Sequence, residues 1–132
     1  MRCPTCKKQD TLRPWTGTTS LMGFEIEGRG QRCKACGEIL TELTELERQE
    51  QIVAEQLVAR GIRSGQEFRF VRKHAGLQAN EVAEMFGVRK ETVSRWERGE
   101  VEIPRTAAYA LGQLYAHPKL TRQRLQAFAQ PA

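Results

Sequence analysis

Residues 77–99, LQANEVAEMFGVRKETVSRWERG, decide the fold of the C-terminal half. Val82, Ala83 and Phe86 recur at helical spacing, and the run then meets Gly87, the residue type that most readily enters the left-handed conformation of a helix C-terminus. A second periodic stretch begins after Val88. Steps of roughly 100° per residue put Val93 and Trp96 on one side of it and Glu91, Ser94, Arg95 and Arg98 on the other. The pattern predicts a helix-turn-helix, with Ala83 small where the two helices cross closely, one face of the second helix in the core and the opposite face polar. That polar face suits a DNA major groove. Arg95 can bridge O6 and N7 of a guanine, Glu91 can accept from N4 of a cytosine, and Lys90, Ser94 and Arg98 are placed for base edges or phosphates. A face of Glu, Ser and Arg is equally what a merely solvated helix carries, so polarity alone does not decide between them.

The order of the residues adds to this. The stretch resembles the Xre-type helix-turn-helix family, whose pattern runs small residue, Gly-Val turn, Thr-Val-Ser-Arg, an aromatic or aliphatic residue, Glu and then Gly. Here those are Ala83, Gly87-Val88, Thr92-Val93-Ser94-Arg95, Trp96-Glu97 and Gly99. The resemblance covers residues 67–114 and implies DNA contact by Arg89, Lys90, Glu91, Thr92, Ser94, Arg95 and Arg98. Two positions depart from it. Ala79 stands where the family usually has a Gln that holds a phosphate. Arg89 stands at the usual Ser or Thr N-cap, where an Arg offers no acceptor and is free to reach a phosphate instead.

Outward from this motif, residues 66–74 read as a preceding helix with Phe68 and Val71 apolar and Arg69, Arg72 and Lys73 either near phosphates or simply solvated. Pro104 stands at a helix start, Ala107, Ala110, Leu111 and Leu114 continue a core face, and a last helix over 119–128 carries Leu120, Leu125 and Phe128, which close the core or meet a second copy. Five helices are expected in residues 66–132. Residues 38–60, without Pro or Gly, read as an acidic linker helix with Leu43, Leu46, Val53, Leu57 and Val58 in a stripe, and Gly61 to Gly65 as a hinge.

All four cysteines lie at the other end of the chain. Cys3-Pro4-Thr5-Cys6 and Cys33-Lys34-Ala35-Cys36 are two C-x-x-C knuckles separated by 26 residues. Four thiolates make a closed tetrahedral site that suits one structural zinc ion; a redox dithiol or a disulfide pair is the alternative. Between the knuckles, 11–15, 18–26 and 31–32 read as short strands broken at Gly17, Gly23, Gly28 and Gly30. A sheet this small needs the metal to fold. Trp15, Leu21, Met22 and Phe24 either form its modest core or present a partner surface. The expected fold class is therefore α+β: a zinc-bound antiparallel β module (1–40), a linker helix and hinge (41–65), and an all-α helix-turn-helix domain (66–132).

The net charge of +5 divides unevenly. Residues 1–37 hold 7 basic and 3 acidic side chains, 38–61 hold 2 and 6, and 62–132 hold 12 and 7, so an acidic segment separates two basic ones. No run of 18 apolar residues and no secretory-type leader is present, which predicts a cytoplasmic protein with no membrane association. His74 and His117 are isolated, and no nucleophile with a base or paired carboxylates stands out; an enzyme is not expected.

The two cysteine pairs beginning at Cys3, the helical linker and the Xre-like motif together resemble the MqsA antitoxin family, also described as YgiT-type zinc-finger/helix-turn-helix proteins. The resemblance carries the zinc ligands to Cys3, Cys6, Cys33 and Cys36 and a base-reading Arg to Arg95. The family's base-reading Asn falls on Glu91, a carboxylate that cannot donate to adenine, so the operator sequence should differ. What the resemblance implies is a homodimer joined through its C-terminal half, repression of its own operon at a palindromic operator in double-stranded DNA, and a small ribonuclease toxin held by the zinc module. The alternative is a stand-alone zinc-containing Xre-family regulator without a toxin, in which Lys7, Lys8, Arg13, Arg29, Arg32 and Lys34 track phosphates or the zinc module gates DNA binding.

Overall fold

The computed structural model describes residues 1–129; the last three residues of the expected C-terminal domain lie outside the described residues. The chain divides into two compact units, Met1–Val53 and Ala54–Ala132, and the division falls within the first helix. The class is α+β.

In the first unit, strands β1 (Leu12–Leu21) and β2 (Phe24–Cys33) form an antiparallel hairpin, and a short β3 (Ile39–Leu40) pairs with β2 at Arg32 and Gln31, giving the order β1-β2-β3. A two-residue turn, Met22-Gly23, joins the long strands with both residues at positive φ (53° and 82°). That is the geometry whose twist matches a hairpin, and Gly23 adopts it without strain. The register runs unbroken from Leu21↔Phe24 to Leu12↔Cys33.

Gly17, Gly28 and Gly30, expected as breaks, lie inside these strands. Their role is close approach. A Cβ on Gly30 would sit 2.4 Å from the Leu40 carbonyl oxygen of β3, and one on Gly17 would sit 2.5 Å from the Trp15 ring, which lies over it. Strand pairing and a neighbouring aromatic ring thus compensate for what glycine lacks in strand propensity.

Helix α1 (Leu43–Arg60) starts five residues later than the sequence suggested, because Ile39 and Leu40 are taken up by β3. Its stripe is buried only from Val53 onward; Leu43 is 69% exposed. The first turns are held by polar groups instead. Glu45 receives Arg48 Nε (2.6 Å), Arg48 Nη2 (2.9 Å), Gln49 Nε2 (2.9 Å) and the N–H of Arg29 on β2 (3.0 Å), while Arg48 also donates to the Glu27 carbonyl (2.9 Å). The beginning of α1 is thereby bound to the sheet.

The second unit contains five further helices: α2 (Gly65–His74), α3 (Ala79–Phe86), α4 (Lys90–Glu97), α5 (Arg105–Ala116) and α6 (Pro118–Ala129). Leu57, Phe68, Val71, Val82, Val93 and Leu111 are fully buried and make its core. The expected hinge is structured. Ser64 caps α2 by accepting from the Glu67 N–H at 3.2 Å, Glu67 in turn accepts from the Arg63 N–H at 2.9 Å, and Arg60 pairs with Glu67 as well. This is a Ser-x-x-Glu capping arrangement shifted by one residue. Gly65 is a close-approach position: a Cβ there would lie 2.1 Å from the Trp96 carbonyl oxygen at the end of α4.

Helix α6 has no buried residue, and Phe128 is 89% exposed. Leu125 and Phe128 border an apolar hollow of about 330 Å³ with Phe86, Val88 and Ala110. No helix among the described residues is long and apolar enough to cross a membrane.

Candidate metal centre and recognition helix

The metal centre is built by the hairpin. Pairing of Leu12 with Cys33 at the open end of the sheet brings the second knuckle beside the first, where Arg2 bridges to Gln9 and Cys3 N–H donates to the Lys8 carbonyl at 3.0 Å. The four sulfurs lie within 4.8 Å of one another. Cys3 Sγ is 3.8 Å from Cys36 Sγ, and Cys6 Sγ is 3.7 Å from Cys33 Sγ. A tetrahedron of sulfurs each about 2.3 Å from a central ion has edges of about 3.8 Å, so the spacing fits a tetrahedral tetrathiolate.

The surroundings favour thiolates unequally. Thr11 Oγ1 lies 3.1 Å from Cys33 Sγ; this hydroxyl, followed by the Cys36 N–H, holds the Cys33 thiol down at about 6. The Cys6 N–H leads the groups that lower Cys3. At Cys36 the Glu38 N–H also lowers, but desolvation and the three other sulfurs outweigh it and push the thiol up to about 12. Four sulfurs this close cannot all shed protons on their own, whereas a bound divalent cation makes all four thiolates favourable. Thr11 was not singled out from the sequence. Its only signal was a hydroxyl at the head of a strand that pairs beside Cys33.

In the second unit, α3 ends on Gly87 in the left-handed conformation (φ 69°, ψ 30°), with Val88 N–H donating to the Ala83 carbonyl (3.0 Å) and Gly87 N–H to that of Glu84 (3.3 Å). This double closure sets the turn into α4. Gly99 ends α4 in the same way, through Glu100 N–H to Arg95 and Gly99 N–H to Trp96. At the start of α4, Arg89 occupies the N-cap position and makes no side-chain cap. At the start of α3, Gln78 donates its backbone N–H to Glu81 at 3.0 Å.

Val93 and Trp96 are buried, Trp96 packing edge-to-face on Phe68 with ring centroids 5.9 Å apart. Arg89, Lys90, Glu91, Arg95 and Arg98 are exposed, and Thr92 and Ser94 are half-buried. All seven candidate residues thus belong to α4 or its flanking caps, and Arg98 pairs with Glu100 at 3.0 Å.

Arg72 departs from its sequence reading. It is buried, donating through Nε and Nη2 to both oxygens of Glu97 (2.6 and 2.9 Å) and through Nη1 to the Leu77 carbonyl (2.9 Å). It holds α2 to the end of α4 and is not available to a phosphate. Sequence reasoning missed this pair because its members are 25 residues apart; the available signal was an arginine beside Phe68 and Val71 on an apolar helix face.

A tetrathiolate-type cluster on a small β unit, carried on one chain with a five-helix bundle that contains a helix-turn-helix, defines the class. A family model described as the antitoxin component of bacterial toxin-antitoxin system, MqsA, matches residues 1–124, and the chain belongs to this family. Comparison of the sequence with curated proteins gives no match.

Proposed function

We propose that this antitoxin represses transcription by laying α4 in the major groove of its operator. The observation that carries the reading is the two-sidedness of α4: Val93 and Trp96 are buried while Arg95, Glu91 and Lys90 project from a helix anchored by the Arg72–Glu97 pair. Arg95 reads a guanine through O6 and N7, Glu91 accepts from a cytosine N4, and Lys90, Thr92 and Ser94 reach base edges or sugars. Arg89 and Arg98 neutralise phosphates, Arg98 exchanging Glu100 for one. Two copies joined through their C-terminal halves read a palindromic operator.

The ion at Cys3, Cys6, Cys33 and Cys36 is zinc, in a structural and not a catalytic role. Four soft thiolates at tetrahedral spacing support that choice, and they leave no position for substrate. The first unit serves as the holder of a small ribonuclease toxin. The chain acts by binding and not as an enzyme, in the cytoplasm.

Two measurements test this. Replacing Arg95 with Ala should cost about 1–3 kcal/mol on the cognate operator and relax discrimination at one base pair, read by electrophoretic shift on single-base operator variants. An equal loss on every sequence would reduce Arg95 to a phosphate contact. Co-expression with the adjacent reading frame tests the toxin part: rescue of growth and copurification are expected. A harmless, unbound neighbour would leave a stand-alone zinc-containing regulator, for which the exposed Lys7, Lys8, Arg13, Arg32 and Lys34 provide a basic surface.

A further inference from the structure

The three-stranded sheet has two edges, and they are finished differently. On the β2 side, β3 pairs only at Gln31 and Arg32, and α1 covers the middle: Glu45 accepts from the Arg29 N–H and Arg48 donates to the Glu27 carbonyl, occupying backbone groups that a further strand would need.

Among the described residues the β1 side has no such cover. Because the Met22-Gly23 turn is two residues long, Leu21, Thr19, Gly17 and Trp15 exchange backbone hydrogen bonds with β2, and the alternate residues Ser20, Thr18, Thr16 and Pro14 turn theirs outward. Arg13 donates to the outward Leu12 carbonyl at 2.9 Å. Among the described residues, none bonds to the outward backbone of Thr16, Thr18 or Ser20, and all three are exposed.

Sheet edges are ordinarily blunted by charge, proline, a bulge or a covering element. Arg13 and Pro14 do this at one end only; residues 15–21, WTGTTSL, are uncharged, contain no proline and pair with β2 without a bulge.

We infer that the β1 edge over Thr16–Ser20 receives a β-strand of the cognate toxin, extending the sheet by main-chain hydrogen bonds. This rests on the antitoxin reading, and membership of an antitoxin family supplies the occupant. Recognition through backbone makes Thr18 replaceable by any residue that keeps its N–H.

The test uses the full zinc-loaded chain and, as probe, the purified product of the adjacent reading frame. Thr18→Pro removes an outward donor and leaves the β1–β2 ladder intact, at the same parity where Pro14 is already accommodated. It should weaken toxin binding by at least about tenfold, whereas Thr18→Ala stays within about twofold. Amide hydrogen exchange on the wild-type complex, which needs no variant, should show new protection at Thr16, Thr18 and Ser20. A folded Thr18→Pro protein that binds as tightly as wild type, or a complex without protection on this edge, overturns the inference and leaves the antitoxin reading standing. Failure of the wild-type chain to bind the probe overturns both. A fall in the mass of the toxin-free protein on Thr18→Pro substitution would assign the edge to a second copy and overturn the inference as well.

Discussion

The two units of this chain solve the same problem with different means. In Ala54–Ala132, five helices and the end of α1 bury Phe68, Leu57, Leu111, Leu114, Val71, Val82 and Val93. In Met1–Val53, the buried apolar residues are Cys3, Cys33, Ile26 and Val53, and two of these belong to the four-cysteine cluster. Burying a side chain such as Leu or Phe contributes about 1.5–3 kcal/mol, so the second unit has ample hydrophobic driving force and the first has little. The contrast leads us to expect that the first unit depends on a bound metal for its fold while the second does not. It also supplies a reporter for each, since the two tryptophans, Trp15 and Trp96, fall one to a unit.

The sharpest break in that comparison is Cys33→Ser, or removal of the ion with a chelator. The expected result is loss of the first unit, followed through Trp15 emission, with Trp96 emission and operator binding retained. Loss of both signals together would show that the two units do not fold independently.

Next in size is the Arg72–Glu97 pair. Its side chains are 10% and 9% exposed, and removing one partner leaves a buried charge unsatisfied. Arg72→Ala should lower the stability of the second unit by about 3–5 kcal/mol in urea titration monitored at Trp96. A cost within the range of an exposed pair would mean that the core alone sets the position of α4.

Gly65→Ala is a smaller perturbation of the same contact. An added Cβ meets the Trp96 carbonyl, which is backbone and yields only if α2 and α4 shift, so a loss of about 1–3 kcal/mol is expected from the same titration. No change would show that the α2–α4 crossing is looser than its geometry indicates.

The smallest effect separates the polar fastening of α1 from the metal. Arg48, then Gln49, hold the Glu45 carboxyl down at about 2, well below its ordinary 4.5. A depressed carboxylate stabilises the folded state above its unfolded value, and that contribution is lost as pH falls from about 4.5 to about 2. Comparing wild type with Glu45→Gln, both zinc-loaded, should therefore show a shallower acid loss of Trp15 signal in the variant across that window. Identical profiles would leave sulfur protonation as the whole acid response.

What the sequence made legible follows the same division between local and distant. The two cysteine pairs and the Gly87–Arg95 stretch could be read because ligand spacing and helix-turn-helix geometry demand fixed residue types at short range. Gly17, Gly28 and Gly30 read as strand breaks from the sequence because what makes glycine useful there, the Trp15 ring, the Thr19 and Gln49 side chains and the Leu40 backbone respectively, appears only once the chain folds. Arg72 looked like a surface cation because Glu97 reaches it only through the crossing of α2 and α4. The shortened start of α1 has the same cause: helix propensity over Ile39 and Leu40 gives way to a tertiary strand pairing with β2.

The hairpin's unbroken register has a further consequence, for how the metal site assembles. Joining Cys6 to Cys33 across an unstructured 26-residue loop would cost about 3 kcal/mol of chain entropy from the length-dependent part alone. A zipper that starts at a two-residue turn and ends on Leu12↔Cys33 divides that closure into short steps, each smaller than the whole loop, so pairing and ion capture can proceed together. The affinity of the cluster for an ion is therefore also a measure of how well Met22-Gly23 nucleates, ten residues away from the nearest cysteine.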